Sequence, residues 1–343
     1  MEAPDTGHHR GAGTMNLTNS APHEICRLLS GYLCGTHSGM LARTSVGRRR
    51  GEAPETIAAA HRRLGNEPGS SPGLELGVDR WVPEEQGQLA MCLSQSLVHE
   101  HIVELVFYGS QARGGRTGFS DVDAILVVAD EAADDPLALR ALRSRVLAAQ
   151  RAVLHYQPMQ HHAFDVATPR VLASVPLALG LPAVALSETQ SVRGIRISAR
   201  IASDAAPRRS LREIVRSLQM LSAWPTHPWQ AHRVVSMFEL LPTLYLQRLG
   251  FWIPKSASFS QARSHFDGAW GPYDALEEVR RRWPRRRYRK LEQVMAVLRN
   301  PWAAVAVWRR LPEPVPNEVR PLLSRELLVK LQSLSHLMEA QGG

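Results

Sequence analysis

The stretch Ile102-Val-Glu-Leu-Val-Phe-Tyr-Gly-Ser-Gln-Ala-Arg-Gly-Gly-Arg-Thr-Gly-Phe-Ser-Asp-Val-Asp-Ala-Ile-Leu-Val-Val128 decides the fold. Its β-branched and aromatic start, Ile102 to Tyr108, predicts a strand that stops at Gly109-Ser110 in a tight turn. After a glycine-rich loop, Asp123 to Val128 is nearly all apolar and predicts a second strand, buried on both faces. Upstream, Leu89, Leu93 and Leu97 repeat at four-residue spacing, so a helix is expected from Val82 to His101. Downstream, Asp135-Pro136 is an N-cap with proline at the first helical position, opening a helix to about Leu154. Met159 to Val166 and Val192 to Ile197 are the remaining expected strands. The result is a compact mixed α/β unit.

Beyond Pro207 only helical patterns remain. Leu211, Ile214, Val215, Leu218 and Leu221 form a 3.6-residue stripe, and so do Val234, Val235, Phe238, Leu241, Leu244 and Leu249. Similar segments follow at Asp274–Trp283, Tyr288–Leu298, Ala303–Leu311 and Arg325–Met338. The fold class expected is therefore α/β with a mixed sheet, followed by an α-helical bundle. Residues 76–206 form the first unit and 207–343 the second. Residues 1–75, rich in Gly, Ser, Pro, His and Arg, read as a disordered extension with two possible short helices, Ala21–Tyr32 and Glu55–Leu64.

Composition narrows the classes. The chain has 343 residues, 44% hydrophobic and 21% charged, which argues against a fibre or a fully disordered chain. Three cysteines, Cys26, Cys34 and Cys92, have no paired spacing, which excludes a disulfide scaffold and a cysteine-rich zinc site. Cytoplasmic location is expected. Val171–Ser187 is uncharged but holds Pro176, Gly180 and Pro182, so no membrane span is expected. The net charge is +9, yet only Lys255, Lys290 and Lys330 of the 41 basic residues are lysine. So strong an arginine bias reflects overall composition as much as any anionic ligand.

The chemistry is carried by the loop between the first two strands. Asp121 and Asp123 stand one residue apart at a strand mouth, so both carboxylates share a face. Their mutual repulsion is relieved by a divalent cation, and all-oxygen ligation there suits Mg²⁺ bound with substrate phosphates. The Gly109-Ser110 turn offers backbone N–H groups and a hydroxyl to phosphate oxygens, with Gly109 permitting close approach. Arg113 and Arg116 either neutralise phosphates or are solvated loop residues, and Lys255 has the same two readings. Along a strand at 159–166, Asp165 shares a face with His161, while His162 points the other way. Asp165 is then a further cation ligand, a proton acceptor, or an exposed strand-end residue, with His161 the reserve base. The run Arg280–Lys290, with Trp283 and Tyr288 interleaved, is either an RNA-binding surface or a joint whose aromatics pack inward.

Gly109-Ser110, ten residues, then Asp121-x-Asp123 resembles the signature of the DNA polymerase β-like nucleotidyltransferase superfamily, which includes the aminoglycoside and minimal nucleotidyltransferases. The resemblance covers about 85 residues from Ile102. It implies transfer of a nucleoside monophosphate from an NTP, ATP foremost, to an acceptor hydroxyl, with two Mg²⁺ ions. Asp121, Asp123 and, as third carboxylate, Asp165 would be catalytic and hold the metals. Gly109, Ser110, Arg113 and Ser120 would bind the nucleotide. The expected acceptor is a small, aminoglycoside-like molecule. The alternatives are transfer to RNA or a protein side chain, and a non-catalytic nucleotide-binding protein of the same fold.

Overall fold

A computed structural model describes residues 22–36, 54–64, 73–77, 79–80, 93, 97–113, 118–174, 186, 189–200 and 211–341. Five strands form a mixed sheet in the order β2-β6-β3-β4-β5: β2 (Asp79–Arg80), β6 (Gln190–Ser191), β3 (Ile102–Phe107), β4 (Ala124–Val128) and β5 (Asp165–Ala167). β3 runs antiparallel to β4, and β4 parallel to β5 with Ile125 opposite Asp165. A separate antiparallel pair joins β1 (Gly73–Leu76) to β7 (Ile197–Arg200). Every residue of β4 is buried, as its apolar run requires. The helix Pro136–Tyr156 begins where expected, the Asp135 carboxylate accepting hydrogen bonds from the Leu137 and Ala138 amides.

Two strands differ from the sequence reading. The expected strand 159–166 is confined to Asp165–Ala167, and residues 160–164 cross open backbone. Gln157, Gln160 and the histidines after it bond to loops, not to a strand ladder, so the alternation rule does not govern them. The expected strand 192–197 is replaced by β6 and β7 on either side of it. Most of the expected helix Val82–His101, with Cys92, lies outside the described residues, as does Arg116.

The N-terminal region also departs from an extension. The helices Pro22–Cys34 and Pro54–Arg62 belong to the sheet's own core, with Ile25, Leu29, Leu33 and Ile57 buried against it. The first covers the outer edge of β5, where the Ser30 hydroxyl accepts from the Val166 amide (2.8 Å). Burying an edge strand requires such a partner. The second is pinned by buried His61, whose Nδ1 is 2.7 Å from Asp134 Oδ1 and whose Nε2 is 2.8 Å from Thr168 Oγ1.

From Leu211 the described chain is helical: Leu211–Gln219, Pro228–Arg248, Lys255–His265, Gly271–Arg282, Arg289–Val297, Pro301–Trp308 and Arg325–Gln341. These form a second core that also takes in Phe119, Leu154 and Met159. The helical stretch that Pro254-Lys-Ser-Ala-Ser-Phe opens runs from Lys255 to His265, and a Ser258–Thr243 hydroxyl contact (2.8 Å) helps seat it. The two units are joined by Arg151 to the Leu298 carbonyl (2.6 Å), Trp302 to Gln150 (3.1 Å) and Asn300 to the Gly35 carbonyl (2.9 Å). No helix among the described residues is long and apolar enough to cross a membrane.

Candidate active site

β3 ends at Phe107, and the chain turns at Gly109 with φ +64°, a left-handed conformation that favours glycine. Ser110 then opens a single helical turn to Arg113. The Tyr108 amide donates to the Asp123 carbonyl (3.1 Å), which brings the turn beside the start of β4. A Cβ at Gly109 would lie 2.7 Å from Asp123 Oδ2. The Gly-Ser turn and the Asp-x-Asp pair, distant in sequence, therefore touch in space.

Asp165 enters from β5. Because it pairs in parallel register with Ile125, it faces the same side as Ile125 and, two residues back, Asp123. The Tyr108 hydroxyl donates to Asp165 Oδ2 (3.0 Å), and Asp165 is buried at 8% exposure. The three carboxylates converge on one group, His162, which feels the charge of all of them.

The histidines give the site its character. His161 Nδ1 is 3.0 Å from Asp121 Oδ2, and His162 Nε2 is 2.9 Å from Asp123 Oδ1. Since the backbone there is not a strand, the adjacent rings need not alternate. They stand edge to face with centroids 5.1 Å apart, and both reach the aspartates. This corrects the expectation that they point apart. Burial alone would lower the His162 pKa, but the hydrogen bond and charge of Asp123, with Asp121 and Asp165 behind, raise it to about 9. Burial would raise the Asp121 carboxyl, yet His161, His232 and His162 together hold it well below the usual carboxylate range. His232 goes the other way, pushed down to about 4 by burial despite the Asp121 charge.

Two glutamines missed in the sequence reading fix this geometry. Gln160 grips Val122, the residue between the aspartates, from both sides. Its Oε1 accepts from the Val122 amide (2.8 Å) and its Nε2 donates to the Val122 carbonyl (3.0 Å). The same Nε2 donates to the His162 carbonyl (2.9 Å), tying both halves of the site together. Gln157 Nε2 donates to the Ser120 (2.7 Å) and Gly118 (3.1 Å) carbonyls, holding the loop that leads in. A pair of glutamines just ahead of His161-His162 was the only visible signal.

The helical unit forms a wall against this loop. Trp229 Nε1 donates to the Gln160 carbonyl (3.0 Å), and buried His232, its Nε2 2.9 Å from the Phe119 carbonyl oxygen, stacks on the Phe119 ring at 3.8 Å. Gly118 packs on the chain at 283–285, where a Cβ would collide with the Trp283 carbonyl and lie 2.8 Å from the Arg285 nitrogen. Trp283 and Tyr288 are buried at 2% and 3%, so neither is available to stack on a base. The Arg280–Lys290 run thus serves as the joint that docks the helices on the loop. Lys255 reaches buried Glu239 (3.3 Å), which Arg280 also approaches (3.7 Å).

Of the expected site residues, Gly109, Asp121, Asp123 and Asp165 come together. Ser110 flanks the turn, half-buried, and Ser120 is buried at 6% beside the Asp pair. Arg113 ends the short helix, and its side chain is outside the described residues. The carboxylate oxygens suit a hard cation such as Mg²⁺. The imidazole nitrogens facing them are a different kind of donor. No family model, curated protein or solved structure matches this chain.

Proposed function

We propose that the protein is a nucleotidyltransferase that moves a nucleoside monophosphate from an NTP, with ATP the first choice, to a hydroxyl of a small acceptor. One observation supports the reading: the Gly109 turn abuts Asp123, so a turn of the kind that can cradle phosphate lies beside the carboxylate pair. The turn's N–H groups and the Ser110 hydroxyl would bind phosphate oxygens. Asp121 and Asp123 would hold a divalent cation, Mg²⁺ by the resemblance, and such an ion would supply charge stabilisation for the departing pyrophosphate and acidify the acceptor hydroxyl. The acceptor oxygen attacks the α-phosphorus as the bond to the bridging oxygen breaks, and pyrophosphate leaves. In this reading the hydroxyl proton passes to Asp165, which Tyr108 orients through its hydrogen bond. Gln160 keeps the Asp pair in register with that carboxylate. The helical wall would select the acceptor.

The test is incubation of the full-length protein with each α-labelled NTP, Mg²⁺ and a cell extract. Label should move to an acceptor and pyrophosphate should be released. Asp121→Asn should abolish labelling while the circular dichroism spectrum is unchanged. Undiminished labelling by that variant would refute the site.

A further inference from the structure

We propose that Asp121, His161 and His162 together bind one divalent transition-metal ion of the Mn²⁺-to-Zn²⁺ group in preference to Mg²⁺. The ion would sit where the transfer reading puts a cation, and in that respect the proposal builds on that reading. The ligand geometry itself stands without it.

One donor atom from each of the three residues lies within 4.8 Å of the other two. The Asp121–His161 contact has the spacing of two ligands on one ion. Donors held at about 2.1 Å from a metal are roughly 3.0 Å apart at a right angle and about 3.4 Å apart in a tetrahedron. His161 Nδ1 and Asp121 Oδ2 are 3.0 Å apart, which matches the right-angle spacing.

The second histidine is prepared in the same way. His162 Nδ1 lies 3.2 Å from the Ala163 carbonyl oxygen, which orients the ring with Nε2 toward the carboxylates, 2.9 Å from Asp123 Oδ1. A ligand histidine is commonly oriented by such a bond from its other nitrogen. The edge-to-face rings approach from different sides, so they do not block one another. Side-chain exposures of 14% for Asp121, 26% for His161 and 33% for His162 leave the group recessed but open to an ion. Gln160 holds the backbone on both sides at once, so the donors are positioned before any ion arrives.

The donor set decides the metal class. Imidazole nitrogen with carboxylate oxygen suits Mn²⁺, Fe²⁺, Co²⁺, Ni²⁺ or Zn²⁺. Mg²⁺ takes oxygen ligands and retains several waters. Asp123 and Asp165 remain as oxygen donors for Mg²⁺ carried in on a nucleotide.

Metal-free full-length protein is titrated separately with Co²⁺ and Mg²⁺ by calorimetry, and the amide shifts induced by Co²⁺ are mapped on the wild-type protein. Co²⁺ should bind about 100-fold more tightly than Mg²⁺, as nitrogen ligation requires. The Val122 and Ala163 amides should move most. His161→Gln and His162→Gln should each weaken Co²⁺ by about tenfold or more and leave Mg²⁺ binding unchanged. Equal affinities for the two ions would overturn the proposal, and so would shifts centred on other histidines of the 14 in the chain. The shift map does not depend on either variant folding. Co²⁺ seated here in a protein that transfers no nucleotide would uphold the ion site and reject the transferase. Mg²⁺-supported transfer with Val122 and Ala163 unmoved by Co²⁺ would do the reverse.

Discussion

Removing the Gln160 side chain tests whether the site is held from behind. Val122 is fully buried, and its amide and carbonyl both bond to the Gln160 amide group at 2.8 Å and 3.0 Å. Gln160→Ala leaves both groups without their partner, and each buried unsatisfied group costs about 1–3 kcal/mol. The sum, about 2–6 kcal/mol, is an upper range, because the surrounding chain relaxes around the smaller side chain. About 2 kcal/mol is the expected loss, which is roughly a 30-fold change in a local opening equilibrium. Native-state hydrogen exchange of the Val122 amide reads this directly and does not require the two units to unfold together. Gln160→Glu separates the two halves of the grip. It keeps an acceptor for the Val122 amide but has no donor for the Val122 or His162 carbonyls. Protection of Val122 should fall about 30-fold in the alanine variant, and it should fall in the glutamate variant as well, because a buried carboxylate then faces the Val122 and His162 carbonyls with no donor. A change below about threefold in Gln160→Ala, well under 1 kcal/mol, would refute the reasoning.

Two further outcomes follow from the geometry. Gly109→Ala forces a left-handed conformation that costs about 1–2 kcal/mol and sets a Cβ against Asp123. It should lower the thermal midpoint modestly and abolish nucleotide transfer, and full activity would show that the turn is not the phosphate cradle. In metal-free protein the His162 ring should titrate near pH 9 by NMR, and Asp123→Asn should bring that midpoint down markedly. Because its folded pKa is raised, His162 contributes stability that is fully present below pH 6.5 and is lost as pH rises through about 9. An unshifted midpoint in the wild type would contradict the ion pair.

Much of the mixed-sheet unit was legible because its signals are local. The run Ile102–Tyr108, the glycine that ends it and the apolar stretch into Val128 need only strand propensity and turn chemistry to be read. The expectation for Asp165 depended on an extended strand. The strand is only three residues long, and its parallel register with β4 sets Asp165 opposite Ile125. The same shortening is why His161 and His162 were misread. Alternation is a property of a hydrogen-bonded strand, and it fails where the backbone bends. The helix Lys255–His265 shows little apolar period, and tertiary contacts seat it: the Ser258–Thr243 hydroxyl pair, Tyr245 to His265 (3.0 Å), Lys255 to Glu239 and buried Ala262.

The sequence by itself determined the strand–turn–strand–helix order from Ile102 to Tyr156, the tight turn at Gly109-Ser110, the adjacency of Asp121 to Asp123 and the change from sheet to helices after Pro207. All of these arise from dihedral preference and periodicity over a few neighbouring residues. Only the tertiary structure decided that Gln160 would grip Val122, that both histidines would meet the aspartates, that Trp283 would turn inward against Phe119, and that Pro22–Cys34 would cover the edge of β5. Those contacts join residues tens to hundreds of positions apart. Which of many possible partners satisfies a buried amide or carboxylate is fixed by how the whole chain packs, and no local pattern encodes it.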